Sequence, residues 1–254
     1  LARYEEIQLT DEETDEALRK GREEKFYKIR RQEYSDGLKT LRTLGSFSAE
    51  QYYTAFTQIF PIDEKKDKAY SIIVKRLCCY FTNDPRFETG DFKRKKGILM
   101  FGGVGVGKTT LMQLFRQNQS FSYRIISCRD IEGDYAVKGQ EVIEQYSENV
   151  QVAVNANPFG HQEVGYCFDD LGTENAVTKH FGNAKNVMTD IILNRYDRIK
   201  MLTPEGEQAD FRGTHITTNL SVDEIEKLYG SRFLDRLREM MNVIEFPEKT
   251  LSRR

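Results

Sequence analysis

Residues 102–109 read Gly-Gly-Val-Gly-Val-Gly-Lys-Thr, which matches the spacing G-x-x-x-x-G-K-[ST] of a phosphate-binding loop. A triphosphate needs many N–H donors converging on a small volume. Gly102, Gly103, Gly105 and Gly107 permit backbone angles that a Cβ would forbid and let the main chain approach the phosphates. Val104, Val106 and Thr110 complete the expected nucleotide-binding stretch. Lys108 is expected to reach the β and γ phosphates as a point charge, and the Thr109 hydroxyl to ligate Mg²⁺. A second run, Val164 to Glu174, is an apolar strand ending in two carboxylates. Asp169 is expected to hold Mg²⁺ through water, and Asp170 to orient and polarise an attacking water. Taken alone, the pair also fits an acidic helix cap or a surface turn; the phosphate loop earlier in the chain favours the metal site. Two readings stand for Glu174: it tunes Asp170, or it caps the next helix.

Elements must hold these groups together. The apolar runs Ile98–Phe101, Tyr123–Cys128, Val164–Phe168, Thr214–Thr217 and Val243–Phe246 alternate with longer amphipathic stretches from Gly97 onward. That alternation predicts βαβ units and a parallel sheet covered on both faces. A carboxylate pair at the C-terminal end of such a strand faces the phosphate crevice. Upstream, Ser48 and Gln51 form a capping-box pattern. Tyr52, Tyr53, Phe56, Ile59 and Phe60 then repeat at helical spacing until Pro61. A further helix is predicted from about Asp63 to Phe81, with Tyr70, Ile73, Val74, Leu77 and Cys78 on one face, ended by Asn83-Asp84-Pro85. Residues 1–44 are a mixed-charge stretch that fits a solvated helix, a disordered arm, or an arm that orders on a partner.

The 254 residues suffice for one α/β domain with a smaller appendage, and the formal charge of −2 points to no global nucleic-acid affinity. Any DNA contact needs a local patch. Lys93-Arg94-Lys95-Lys96 is read either as a solvated linker or as a contact to a phosphate backbone or the nucleotide's periphery. The polar stretch Asn155–Glu163, with His161, reads as a surface excursion or as a loop facing DNA or a partner. No apolar run approaches the roughly 20 residues of a membrane helix, and the charged N-terminus resembles no secretory signal. Because the chain begins with Leu1 rather than Met, its true start is expected upstream. Cys78, Cys79, Cys128 and Cys167 lack zinc spacing, and Cys128 and Cys167 read as small hydrophobes in strands, which suits a reducing cytoplasm. His180 and His215 have no partners at metal spacing, so Mg²⁺ is the only metal expected.

Several motifs carry a family resemblance. Phe168-Asp169-Asp170-Leu171-Gly172-x-Glu174, Leu193-Asn194-Arg195-Tyr196, Thr217-Thr218-Asn219-Leu220 and Tyr229-Gly230-Ser231-Arg232-Phe233-Leu234-Asp235-Arg236-Leu237 resemble the ATPase domain of the DnaC-type helicase loaders, and equally the IstB-type transposition ATPases, both of the AAA+ superfamily. The resemblance covers about residues 84–254. It implies an α/β, three-layer α/β/α P-loop NTPase fold with a five-stranded parallel sheet in the order 5-1-4-3-2 and a minimal or absent lid. It implies that Asn219 is the sensor that helps place the attacking water, and that Arg236, with Arg232 as runner-up, is a finger reaching a neighbouring subunit's site. Arg195 is read as a second interface residue or a surface ion pair, and Arg253 as a loose match to a nucleotide-sensing arginine. Asp170 stands where most of the superfamily carries Glu, one methylene longer, so slow basal turnover is expected. The implied cofactors are ATP and Mg²⁺. The implied division is a helical partner-binding segment over 1–82 and an ATPase domain over 83–254. The implied partners are further copies of the chain, single- or double-stranded DNA, and a replicative helicase or a transposase, with no membrane. The implied function is a Mg-dependent ATPase switch in DNA metabolism, as helicase loader, as transposition helper, or as a nucleotide-gated adaptor with little turnover.

Overall fold

A computed structural model describes residues 10–43, 47–153, 163–181 and 183–247. The chain opens with helix α1 (Asp11–Thr43), which exposes Leu18, Phe26 and Ile29. Helix α2 (Ala49–Ile59) is started by the expected capping box, with Ser48 and Gln51 exchanging side-chain to backbone hydrogen bonds. Helix α3 spans Lys68–Phe81 and begins later than predicted. The reason is local: the Asp63 carboxylate accepts from the Lys65 and Lys66 amides at 3.0 and 3.2 Å, which holds that stretch as a turn. There follow β1 (Gly97–Phe101), α4 (Lys108–Phe115), β2 (Tyr123–Ser127), α5 (Cys128–Lys138), α6 (Gln140–Ser147), β3 (Val150–Gln151), β4 (Glu163–Leu171), β5 (Thr178–His180), β6 (Asn183–Lys185), α7 (Val187–Leu202), β7 (Thr214–Thr218), α8 (Val222–Tyr229), α9 (Ser231–Met240) and β8 (Met241–Glu245). Cys128 therefore opens a helix rather than closing a strand, and it is buried there as expected.

The main sheet runs β2-β4-β7-β1-β8 with every one of these neighbours parallel, which is the 5-1-4-3-2 order implied by the resemblance. Two features were not expected: β3 adds antiparallel to the start of β4, and β5 and β6 form a separate hairpin. Alternation along the strands divides the core into two layers. Leu99, Tyr166, Phe168 and Ile216 face α5, α6, α7, α8 and α9, whereas Ile98, Met100, Cys167 and Ile244 face α2, α3 and α4. This is a three-layer α/β/α P-loop NTPase fold.

The second layer bears on the expected division at residue 82. The Phe115 ring of α4 stacks on Tyr52, Phe56 and Phe81 at centroid distances of 5.3, 5.4 and 4.7 Å. Helices α2 and α3 thus share one apolar cluster with the sheet and with the helix that follows the glycine-rich loop.

The same layer buries His215 completely. Its Nδ1 accepts from the Ile98 amide at 3.1 Å, and its ring lies against Tyr123 at 4.6 Å and Phe81 at 5.7 Å. Burial pushes its pKa from 6.5 down to about 3. The unfolded chain takes up this proton near pH 6.5 and the folded chain only near pH 3, so the unfolded state binds more protons in between. Stability from this group is full above that window and falls by about 1.4 kcal/mol for each pH unit of acidification within it. His215→Gln keeps an acceptor and cannot titrate. Urea midpoints measured from pH 7 to pH 4 should fall less steeply in the variant, by about one proton's worth of slope. Parallel profiles would exclude His215 as the source.

Candidate functional site

The apolar strand β1 delivers the chain to the loop 102–107 at the C-terminal end of the sheet, and α4 carries it away. Gly105 and Gly107 adopt φ of 86° and 94°, the left-handed region where a side chain is strained. Gly107 is the residue from which α4 starts, so the N-terminus of that helix, with its free amides and positive dipole end, points at the same place. A cavity of about 190 Å³ lies there, lined by Val104, Gly105, Gly107, Lys108, Thr109, Thr110, Asp170 and Asn219. Gly102 and Gly103 stand behind it: their carbonyls accept from Lys108 Nζ at 2.8 and 3.0 Å. Val106 turns away and is buried in the apolar cluster beneath α4.

Lys108 Nζ makes a third bond, to Asn219 Oδ1 at 2.7 Å, so residues 111 positions apart in sequence meet at one point. Burial pushes the Lys108 pKa down, while the charges of Asp170 and Asp169 act to raise it. Below the loop, Thr109 Oγ1 donates to the Asp169 carboxylate at 2.9 Å, and Thr217 Oγ1 donates to the same carboxylate at 2.6 Å. Burial raises the Asp169 pKa, and the two hydroxyl bonds oppose the rise. Asp170 sits at φ 56°, and the register between β4 and β7 shifts between Phe168 and Leu171. Its amide donates to Thr217 Oγ1 at 2.9 Å.

These donors suit a hard divalent cation. They are oxygens, and the Thr109 proton is already committed to Asp169, which leaves the hydroxyl's lone pairs for a metal. The residues therefore fit Mg²⁺, which the Thr109 hydroxyl would ligate with the Asp169 carboxylate beside it.

Other expectations fare differently. Arg195 is neither an interface residue nor a surface ion pair. Only 1% of it is exposed, and it donates to Thr214 Oγ1, the Tyr146, Glu148 and Gly213 carbonyls and Asn149 Oδ1. Glu174 does not cap a helix, since β5 is the next element after it. It is buried, accepts from the Gly172 amide at 2.9 Å and from the Tyr229 hydroxyl, and so ties the end of β4 to the end of α8. The basic run Lys93–Lys96 precedes β1 and lies at the end of that strand away from the loop, a separation of about 16 Å for five residues, so it does not reach the nucleotide's periphery. Three of its side chains are anchored: Arg94 to Glu88 and Asn83, Lys95 to the Gln208 carbonyl, Lys96 to the Arg238 carbonyl.

Arg232 and Arg236 do not line the cavity; both are on α9. Arg232 is exposed, 3.9 Å from Asp197, and the Arg236 guanidinium lies over the Tyr196 ring at 4.5 Å. The Asn155–Glu163 stretch up to residue 162, with His161, and the tail with Arg253 lie outside the described residues. Sequence reasoning passed over Thr217 as a contributor. Its signal was a second hydroxyl residue two positions before Asn219, which has meaning only once β7 is known to lie beside β4.

No protein-family model matches the chain, and no curated relative matches it. Among solved structures, the chain is similar to a crystal structure of the DnaC helicase loader, at 17% identity over 60% of this chain and 79% of that one, with a TM-score of 0.38. It is also similar to a crystal structure of DnaI, at 18% identity over 75% of this chain and 87% of that one, with a TM-score of 0.43. The reading of the site rests on its own geometry.

Proposed function

We propose that the chain is a Mg-dependent ATPase that acts as a switch in DNA metabolism, in the manner of a DnaC-type loader of a replicative helicase. The observation that carries the enzymatic part is the convergence of Lys108, Thr109, Asp169, Asp170 and Asn219 at the C-terminal ends of β1, β4 and β7. The loop amides and the α4 terminus bind the phosphates, and Lys108 transfers its bonds from the Gly102 and Gly103 carbonyls and Asn219 toward the β and γ phosphates. Thr109 and Asp169 would hold Mg²⁺, which would supply positive charge to offset that of the phosphate oxygens. Asp170 orients and polarises the attacking water, and Asn219, released from Lys108, helps place it.

The partner part of the reading divides the chain by its packing. Helix α1, with Leu18 and Ile29 exposed, is the partner-binding segment, and the ATPase unit begins near residue 47, where the apolar cluster of α2 and α3 begins. Copies of the chain form composite sites in which Arg236 reaches the neighbour's nucleotide, with Arg232 as the substitute. Single-stranded DNA is sensed by the ATPase core. The test is ATP turnover by the full chain in Mg²⁺ and in EDTA, each with and without single-stranded DNA. Turnover that requires Mg²⁺ and responds to DNA supports the proposal. Nucleotide binding with no turnover under any of these conditions favours the gated adaptor instead.

Arg236→Ala is expected to bind ATP as the parent does and to lose concentration-dependent turnover by roughly a thousandfold, the scale of trans arginines on phosphoryl transition states. Turnover measured across protein concentrations, beside equilibrium ATP binding, checks this. Unchanged turnover transfers the role to Arg232.

A further inference from the structure

Strands β4 and β7 pair Phe168 with Ile216 and Leu171 with Thr218, so Asp169 and Asp170 together stand opposite Thr217. This is a bulge, two residues against one, at the end of a strand that carries the two acidic groups. A bulge leaves a ladder amide without its ordinary acceptor, and here the unpaired amide belongs to Asp170, held at φ 56°. The Thr217 side chain supplies what the ladder lacks. Its hydroxyl oxygen accepts from the Asp170 amide at 2.9 Å, and its proton goes to the Asp169 carboxylate at 2.6 Å. Thr217 is fully buried, so water does not compete for either bond.

We propose that Thr217 is a positioning residue that sets both carboxylates through one hydroxyl: it orients Asp169 toward Thr109 and holds Asp170 in the left-handed turn that aims it into the cavity. The assignment rests on the reading of the site as a Mg-dependent ATPase. The geometry gives each bond a separate consequence. Loss of the proton donated to Asp169 frees the carboxylate to rotate away from Thr109, which weakens the metal site. Loss of the acceptor for the Asp170 amide relaxes the bulge, which moves the water-orienting group without touching the phosphate loop. The loop and Lys108 make no hydrogen bond to Thr217, so metal-free nucleotide binding is independent of it.

Thr217→Val keeps the shape and removes the hydroxyl; Thr217→Ser keeps the hydroxyl and removes the methyl. Three readouts on the full chain separate positioning from a merely structural role. Amide exchange at Asp170 in the nucleotide-free protein should be slow in the parent and in Thr217→Ser, and at least tenfold faster in Thr217→Val. Nucleotide affinity in EDTA should be the same in all three, whereas the gain in affinity on adding Mg²⁺ should be lost in Thr217→Val alone. Turnover number should fall about tenfold to a hundredfold in Thr217→Val and return in Thr217→Ser, with the KM for ATP at saturating Mg²⁺ changed far less. An Asp170 amide that exchanges as fast in the parent as an exposed loop amide overturns the proposal, even if Thr217→Val fails to fold. So does a Thr217→Val protein with the parent's Mg²⁺ dependence and turnover. If the parent binds no nucleotide at all, the ATPase reading fails, and the exchange measurement still decides whether Thr217 pins the bulge.

Discussion

Lys108→Ala is expected to abolish ATP hydrolysis and to weaken ATP binding about a hundredfold. The ammonium is committed to three acceptors, the Gly102 and Gly103 carbonyls and Asn219 Oδ1, at 2.7 to 3.0 Å. Each is a neutral oxygen, and phosphate oxygens carrying full charge are stronger partners for the same donors. Two charge-assisted bonds to phosphate, at about 1.5 kcal/mol or more each, account for the hundredfold. Losing hydrolysis altogether requires a second effect, the removal of the only cation that lines the cavity among the described residues. A thermal-shift titration is the cleanest measurement, because ligand at a hundred times its Kd stabilises the parent by about 2.7 kcal/mol through mass action. The variant at the same ATP concentration should show less than a quarter of that. Lys108→Met, which keeps the buried aliphatic stem, should behave like Lys108→Ala. A full ligand-induced shift in either variant would remove the loop from the nucleotide site.

The second large effect concerns stability. Arg195→Ala is expected to cost about 3–5 kcal/mol, a large share of the roughly 5–15 kcal/mol that holds a domain of ordinary size together. Burial lowers the Arg195 pKa to about 10, so the guanidinium is still charged at neutral pH. Among the described residues, no carboxylate is a hydrogen-bond partner of Arg195. Its charge is spread instead over three carbonyls, Asn149 Oδ1 and Thr214 Oγ1, with the Phe168 and Tyr166 rings at 5.7 and 5.8 Å. Truncation leaves those acceptors buried and unsatisfied, and the cost of each is about 1–3 kcal/mol. Arg195→Lys should recover little, since an ammonium has three donors and no planar fork to reach acceptors on α6, the 148–149 turn and the start of β7 together. Urea unfolding of both variants, read as a midpoint shift at constant slope, checks the size. A loss under about 1 kcal/mol would show that the surrounding chain closes over the gap. Faster exchange at the α6–β3 junction, where Glu148 and Asn149 lead into β3, would place the loosening where the bonds were.

The sequence alone determined those parts of the molecule whose physics is local. A glycine-rich loop with the spacing of a phosphate cradle, a lysine and threonine at its end, and a strand that finishes in two carboxylates each sit within a dozen residues, and each could be read before any fold was known. The capping box at Ser48 and the alternation of apolar runs belong to the same class. The tertiary structure decided what depends on pairs far apart in the chain. An arginine in a motif looks the same whether it faces a neighbour or the interior, and only the approach of Tyr146, Asn149 and Gly213 made Arg195 a buried hub. Only the packing of α2 and α3 on Phe115 joined residues 47–81 to the sheet. The hydroxyl of Thr217, two positions before Asn219, could not be read from the sequence, because it acquires its two partners from a strand that is neighbour in space and not in sequence. Short-range patterns record what a segment must do by itself. Which buried polar group meets which is settled by the register of distant strands, and a single residue's slip in that register exchanges every partner.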